Sequence, residues 1–239
     1  EHLSMKEENA REVFNKVIDK DPKKFVNAIE KAIFHNLKTL EFNKLKDYPL
    51  IFSMSDGVER FGGLAGYLQH PAIKELLESS IIKVGSNINI DRHWSENVGI
   101  FLGGEFVDTV ITDWLIDENR EGRHGLKDCA YDYCGIIMRD FQDVFPMKRA
   151  TKNSPAETPK DAIERELASP EGFEKAKQYA GLDAFANYKV FEKHKEILEK
   201  TVIFVDEYGR PARNLWDHYV DFEMPLIKVL YNMERRGIR

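Results

Sequence analysis

The chain has 239 residues, enough for one large domain or two small ones. Its hydrophobic share of 42% and aromatic share of 11% supply a sizeable core and exclude a chain disordered throughout. A formal net charge of −6 does not mark a nucleic-acid binder, although an acidic chain still handles nucleic acid where bound metal ions meet the phosphates.

Glu1 to Lys6 reads as a frayed end, with no charged-then-apolar leader after it and no run of about 18 apolar residues anywhere, so neither a secretory signal nor a membrane span is expected. Val13, Val17 and Ile18 suggest a short helix, and Asp21-Pro22 opens a second whose stripe is Phe25, Ile29 and Ala32. Ile33 to Thr39 reads as a strand. Pro49 to Ser55 reads as a buried strand, Asp56-Gly57 as a hairpin turn, and Val58 to Phe61 as the return strand. Pro71 opens a helix through Leu77, and Ile81 to Gly85 is another buried strand. Asp108 caps a helix bearing Val110, Ile111, Trp114 and Leu115. A further helix through Leu126, Cys129, Ala130 and Tyr133 stops at Gly135. Cys129 and Cys134 are too few for a disulfide framework or a zinc site and are expected as reduced thiols.

From Phe141 to Pro170 the pattern loosens into a loop with a short helix around Asp161 to Leu167. Ser169-Pro170 caps a long helix reaching about Lys200, Tyr208 to Pro211 is a turn, and an amphipathic helix runs from about Leu215 to Arg235. The order of elements predicts an α/β domain with a small mixed sheet flanked by helices. The three tryptophans are expected in the core or between helices.

Two clusters can carry chemistry. Asn87 and Asp91 follow the strand ending at Gly85, one helical turn apart, at the carboxyl end where ligand sites form; the competing reading is an Asn helix cap with a solvated Asp. Tyr179 and Asp183 share a face of the long helix, and Ala180, Gly181 and Ala184 let that face approach another element closely; the competing reading is a core tyrosine beside a surface aspartate.

Together these segments resemble the 3′–5′ exonuclease (proofreading) domain of A-family, DNA polymerase I type, DNA polymerases. Lys83 to Asp91 is similar to the family's second exonuclease motif, with Ser86 where histidine is usual. Phe106-Val107-Asp108-Thr109 resembles its Phe-Asp-Thr helix start with one residue inserted, and Gly122-Arg123-His124 the segment after it. Tyr179 to Asp183 resembles the third motif. Phe222 to Leu230 and Met233 to Ile238 resemble the helix leading toward the polymerase domain.

The resemblance implies a ribonuclease-H-like fold divided into an N-terminal helical segment (1–32), an exonuclease-like domain (33–205) and a helix leading toward an absent polymerase domain (206–239). It implies two-metal hydrolysis with Mg²⁺ or Mn²⁺ held by Asp91 and Asp183, Tyr179 orienting the attacking water, a single-stranded DNA 3′ end as substrate, and the polymerase domain of the same parent chain as partner. The polymerase source implies an intracellular setting, whether bacterial or virus-infected cytoplasm or an organelle.

The first motif departs from the family pattern: Asn36 stands for its aspartate and Lys38 for its glutamate. An ammonium about 4 Å from a divalent ion, at an effective dielectric near 20, repels it by about 8 kcal/mol. A tight two-metal site is therefore not expected, with Lys38 pairing with Asp91 or Asp183 instead. A non-catalytic DNA-binding or structural module in the same fold is the alternative; an RNA-trimming relative fits less well, because the Glu223 to Ile238 helix matches polymerases. Among further DNA-binding candidates, Asn87 and Arg123 lie in the matched motifs. Lys148, Arg149 and Lys152 are read either as phosphate contacts or as a solvated loop, and Phe42 either as a stacking platform for a terminal base or as a core residue.

Overall fold

The computed structural model describes residues 49–120, 122–151 and 155–237. The elements expected before Pro49, and with them Asn36, Lys38 and Phe42, lie outside the described residues, as does Lys152.

Strands β1 (Ile51–Ser55) and β2 (Arg60–Leu64) pair antiparallel, with Ser55 opposite Arg60 and Ile51 opposite Leu64. Asp56 builds the turn: its Oδ1 accepts the N–H groups of Val58 at 2.9 Å and Glu59 at 2.8 Å. Those bonds hold both residues in the turn, so the return strand begins at Arg60 rather than at Val58. Gly57 has φ +86°, and a Cβ there would lie 2.3 Å from the Tyr188 ring, so both conformation and space require glycine.

A 3₁₀ turn (Ala65–Gln69) leads into α1 (Pro71–Glu78). Strand β3 (Lys83–Gly85) pairs parallel with β4 (Phe106–Asp108), Gly85 opposite Asp108. β3 is shorter than its apolar run predicts. The Lys83 ammonium donates to the Ser79 and Ile81 carbonyls at 2.7 and 2.9 Å, closing the segment into a turn before the ladder starts. Helix α2 (Ile88–Asn97) follows β3 and α3 (Thr109–Ile116) follows β4. Helix α4 (Leu126–Cys134) ends at Gly135 with φ +65°, and α5 (Phe141–Val144) is a single turn. Helix α6 (Pro159–Leu167) starts with a capping box between Thr158 and Asp161.

The 31-residue helix α7 (Pro170–Lys200) starts where Ser169 Oγ accepts the Gly172 N–H. It is the spine of the fold: the β1–β2 hairpin, β3, α3, α4 and α6 all pack on it. Strands β5 (Val202–Val205) and β6 (Pro211–Asn214) form an antiparallel hairpin that the sequence reading passed over apart from its turn. The division expected at 205/206 falls between these paired strands. Helix α8 (Leu215–His218), a π-helical turn (Tyr219–Glu223) and α9 (Met224–Arg235) then run on as the expected terminal helix.

The architecture is mixed α/β. The described strands form three two-stranded pairs, one parallel and two antiparallel, in place of one small mixed sheet. The central cluster joins Ile88, Phe106, Val107, Tyr219, Met224 and Ile227, so α9 closes over the β3–β4 pair. Trp114, expected in the core or between helices, is 49% exposed and stacks on His124 at 3.8 Å between ring centroids. No helix among the described residues is long and apolar enough to cross a membrane.

Candidate active site

The second-motif segment turns from β3 into α2 at Asn87, which adopts φ +58° and offers no side-chain cap. The cap comes from β4. Asp108 Oδ1 and Oδ2 accept the N–H groups of Asn87 and Ile88 at 3.0 Å each, and Oδ1 also accepts the Val110 N–H at the start of α3. One buried carboxylate thus starts two helices, and the Tyr219 hydroxyl oxygen accepts the Asp108 N–H at 2.9 Å in the same corner. Burial raises the Asp108 pKa, and these backbone N–H groups oppose the rise.

Asp91, one turn into α2, is accessible at the surface, yet protein crowds its carboxyl. Desolvation, with repulsion from Asp108 second, pushes its pKa up to about 7; a hydrogen bond from its own backbone opposes this. Asp91 is thus a surface residue whose carboxyl is partly desolvated, and the remaining water contact moderates the shift. The solvated-aspartate reading therefore does not describe Asp91 fully.

Helix α2 is fastened to α9 on its other side. Asn89 Nδ2 donates to the Ile227 carbonyl at 3.3 Å, and His93 Nε2 lies 2.8 Å from Glu234 Oε2. The Arg92 guanidinium lies over the rings of Phe106 and Tyr231, 4.2 and 3.7 Å from their centroids. The segment resembling the polymerase-side helix thus sets the position of the helix bearing Asp91.

The third-motif pair lies on α7. Tyr179 packs its ring edge-on against Phe141 and Phe145 at 6.3 and 5.4 Å. Burial raises its pKa, and so does the neighbouring Asp183, so its hydroxyl keeps its proton. Burial raises Asp183 to about 6, opposed by the charge of Lys127 on α4. Gly181 is buried against β2, where a Cβ would stand 3.6 Å from Arg60 Cβ, an ordinary contact. The approach is thus less close than the run of small residues predicts. One turn beyond Asp183, Asn187 Oδ1 accepts the Thr109 hydroxyl at 2.8 Å, tying the third-motif helix to the residue after Asp108.

Arg123, Lys148 and Arg149 are the remaining DNA-binding candidates among the described residues. Arg123 Nη2 donates to both Asp132 carboxylate oxygens at 3.0 and 2.8 Å, so its charge is met within the chain. Lys148 and Arg149 are exposed in the loop after α5, where the Lys148 N–H is held by Glu157 Oε2.

The sequence reading missed a buried polar knot between α3, α4 and α7. Ligating atoms of Asp113, Cys129 and His194 lie within 4.8 Å of one another. Arg120 already supplies the positive charge there: its Nη1 donates to Asp113 Oδ1, to the Tyr133 oxygen at 3.1 Å and to Cys129 Sγ at 3.8 Å. Burial would raise Asp113, but the bonds from Tyr133 and His124 and the Arg120 charge hold it below the usual carboxylate range. Burial pushes the Cys129 thiol up to about 12 and His194 down to about 4. A neutral thiol and a resident guanidinium suit a structural knot better than a metal centre. The signal missed is the i, i+4 pair Cys129 and Tyr133 on α4, both of which reach Asp113.

The structure thus places Asp91 on the helix after β3, and Tyr179 with Asp183 on α7, within a mixed α/β domain of the 3′–5′ exonuclease class. The profile described as 3′–5′ exonuclease matches residues 64–199, and the chain belongs to that family, the exonuclease domain of DNA polymerase I type polymerases. It is similar to the DNA polymerase I of Synechocystis sp., 31% identical over 168 residues that make up 69% of this chain and 14% of the relative. The chain therefore spans a small part of the length of that relative.

Proposed function

We propose that this chain is a proofreading-type exonuclease domain in a ribonuclease-H-like fold, directed at single-stranded DNA 3′ ends, whose hydrolytic activity is weakened or lost because Asn36 and Lys38 replace the first-motif acids. The observation that best supports the site is Asp91 itself, a carboxylate with accessible surface and a pKa near neutrality beside a second carboxylate, Asp108. Backbone N–H groups already meet the Asp108 carboxylate, which leaves Asp91 as the carboxylate of the two that a hard oxygen-seeking cation would suit. Asp91 and Asp183 would hold Mg²⁺ or Mn²⁺, which when bound neutralises the phosphodiester and lowers the pKa of attacking water. The chain's own residues do the rest. Tyr179 keeps its proton and offers a hydroxyl to orient water, Asp108 fixes the start of α2, and Asn187 with Thr109 holds α7 against β4.

The alternative, a structural module of the polymerase, draws on a different observation. Phe204, Phe222, Val229 and Leu230 are exposed on the β5–β6 hairpin and the outer face of the terminal helix. A polymerase domain of the same parent chain would cover such apolar surface. The two readings separate on one experiment: Asn36→Asp with Lys38→Glu, assayed for Mn²⁺-dependent release from a mismatched primer. Nucleotide release that disappears on adding Asp91→Asn is the result expected of the nuclease reading. No release from a folded double variant overturns it in favour of the structural module.

A further inference from the structure

We infer that Lys127 is a tethered counter-ion of the third-motif pair, an ammonium that occupies the charge environment of Asp183 and Tyr179 and competes with a divalent cation there. This rests on the reading of Asp183 as a cation ligand.

The geometry comes from three elements. Lys127 lies in the first turn of α4, and Cys129 and Ala130 on that helix pack against Ala186 and Val190 of α7. From there its Nζ reaches Asp140 Oδ1, at the start of α5, at 2.8 Å. The turn that Asp140 begins carries Phe141, one of the two rings against Tyr179. Lys127 therefore stands at the junction of α4, α5 and the third-motif face of α7. From that junction its positive charge bears on the Tyr179 hydroxyl and favours the ionised Asp183 carboxylate. Lys127 in turn is held charged by Asp140, Tyr179 and Asp183 after burial has opposed it.

The consequence is specific. A partly desolvated carboxylate gains from a positive partner, and here a covalently attached one is present at no translational cost. A divalent cation arriving at Asp183 must displace the ammonium or sit beside it against repulsion. Weak cation binding at the third motif would then arise in this chain independently of Asn36 and Lys38. The side chain is 36% exposed, so it can swing to solvent, and its loss does not open the core.

The test is equilibrium Mn²⁺ binding to the whole chain, read from the paramagnetic resonance of free Mn²⁺, in Lys127→Met with and without Asp183→Asn. Lys127→Met is expected to bind Mn²⁺ on the order of tenfold more tightly, with the gain lost when Asp183→Asn is added. A metal-free measurement accompanies it: a double-mutant cycle of the same substitutions on urea-unfolding midpoints, expected to be non-additive. Unchanged Mn²⁺ affinity, a gain that survives Asp183→Asn, or additive midpoints each overturn the counter-ion. Failure of the nuclease reading looks different: Mn²⁺ bound tightly by Lys127→Met, with coupled midpoints, but no nucleotide release after the first-motif acids are restored.

Discussion

Thr109 donates its hydroxyl to Asn187 Oδ1 at 2.8 Å across 78 residues of sequence, joining the end of β4 to α7 one turn past Asp183. It is the hinge pin between the two motif regions, because Thr109 directly follows the carboxylate that starts the Asp91 helix. Thr109→Val keeps the shape and leaves the Asn187 oxygen without its donor. A loss of about 1–2 kcal/mol is expected in urea unfolding. A loss no greater than that of an exposed Thr→Val control would show that the bond does not hold the two regions.

Asp108 serves two helix starts, so its removal should exceed the cost of an ordinary cap. Asp108→Ala is expected to destabilise the domain by about 2–3 kcal/mol, and Asp108→Asn by less, since an amide oxygen still accepts. Equal losses for the two variants would contradict the double-capping role.

The pH dependence follows from the two carboxylates with raised pKa values, Asp91 and Asp183. Folding raises Asp91 from 3.8 to about 7 and Asp183 from 3.8 to about 6. Between those limits the folded chain binds more protons than the unfolded one, so their contribution makes stability fall as pH rises from about 4 to 7. Above pH 7 the penalty is complete. Asp91→Asn should therefore raise the melting temperature at pH 8 and leave it unchanged near pH 3.5. The gain is about 1 kcal/mol, reduced because water reaches the group. A stabilisation that is the same at both pH values would remove the carboxylate as its cause.

Gly181 lies inside α7 with room for a methyl group, its nearest neighbour Arg60 Cβ being 3.6 Å from an added Cβ. Gly181→Ala should stabilise the domain by about 0.5–1 kcal/mol through helix propensity. Thermal unfolding gives the sign directly, and destabilisation would mean that β2 sits closer to α7 in solution.

Arg120 is the positive charge of the buried knot around Asp113, which has no accessible side-chain surface. Arg120→Met should cost about 3 kcal/mol by leaving that carboxylate without its cation, and Arg120→Lys should not restore the loss, because one ammonium cannot repeat the fork to Asp113, Tyr133 and Asp132. Chemical denaturation of the three proteins decides it, with full rescue by lysine as the contrary result.

Much of the framework follows from neighbours along the chain. Asp56-Gly57 makes its turn, Ser169 starts α7, Gly135 stops α4 and Asp108 caps α3, because each acts through backbone within a few residues. The same locality made Asn87 to Asp91 and Tyr179 to Asp183 legible as site candidates, and with them the family. Tertiary structure alone decided what those residues face. That the Asp108 carboxylate reaches back to Asn87 and Ile88, that Lys127 reaches Asp140 at the start of α5, and that Arg120 fills the space beside Cys129 depend on where separate elements pack. Side-chain length and packing direction set those meetings. The hairpin of Val202–Val205 with Pro211–Asn214 belongs with them, since a short exposed strand is recognised by its partner more than by its own pattern.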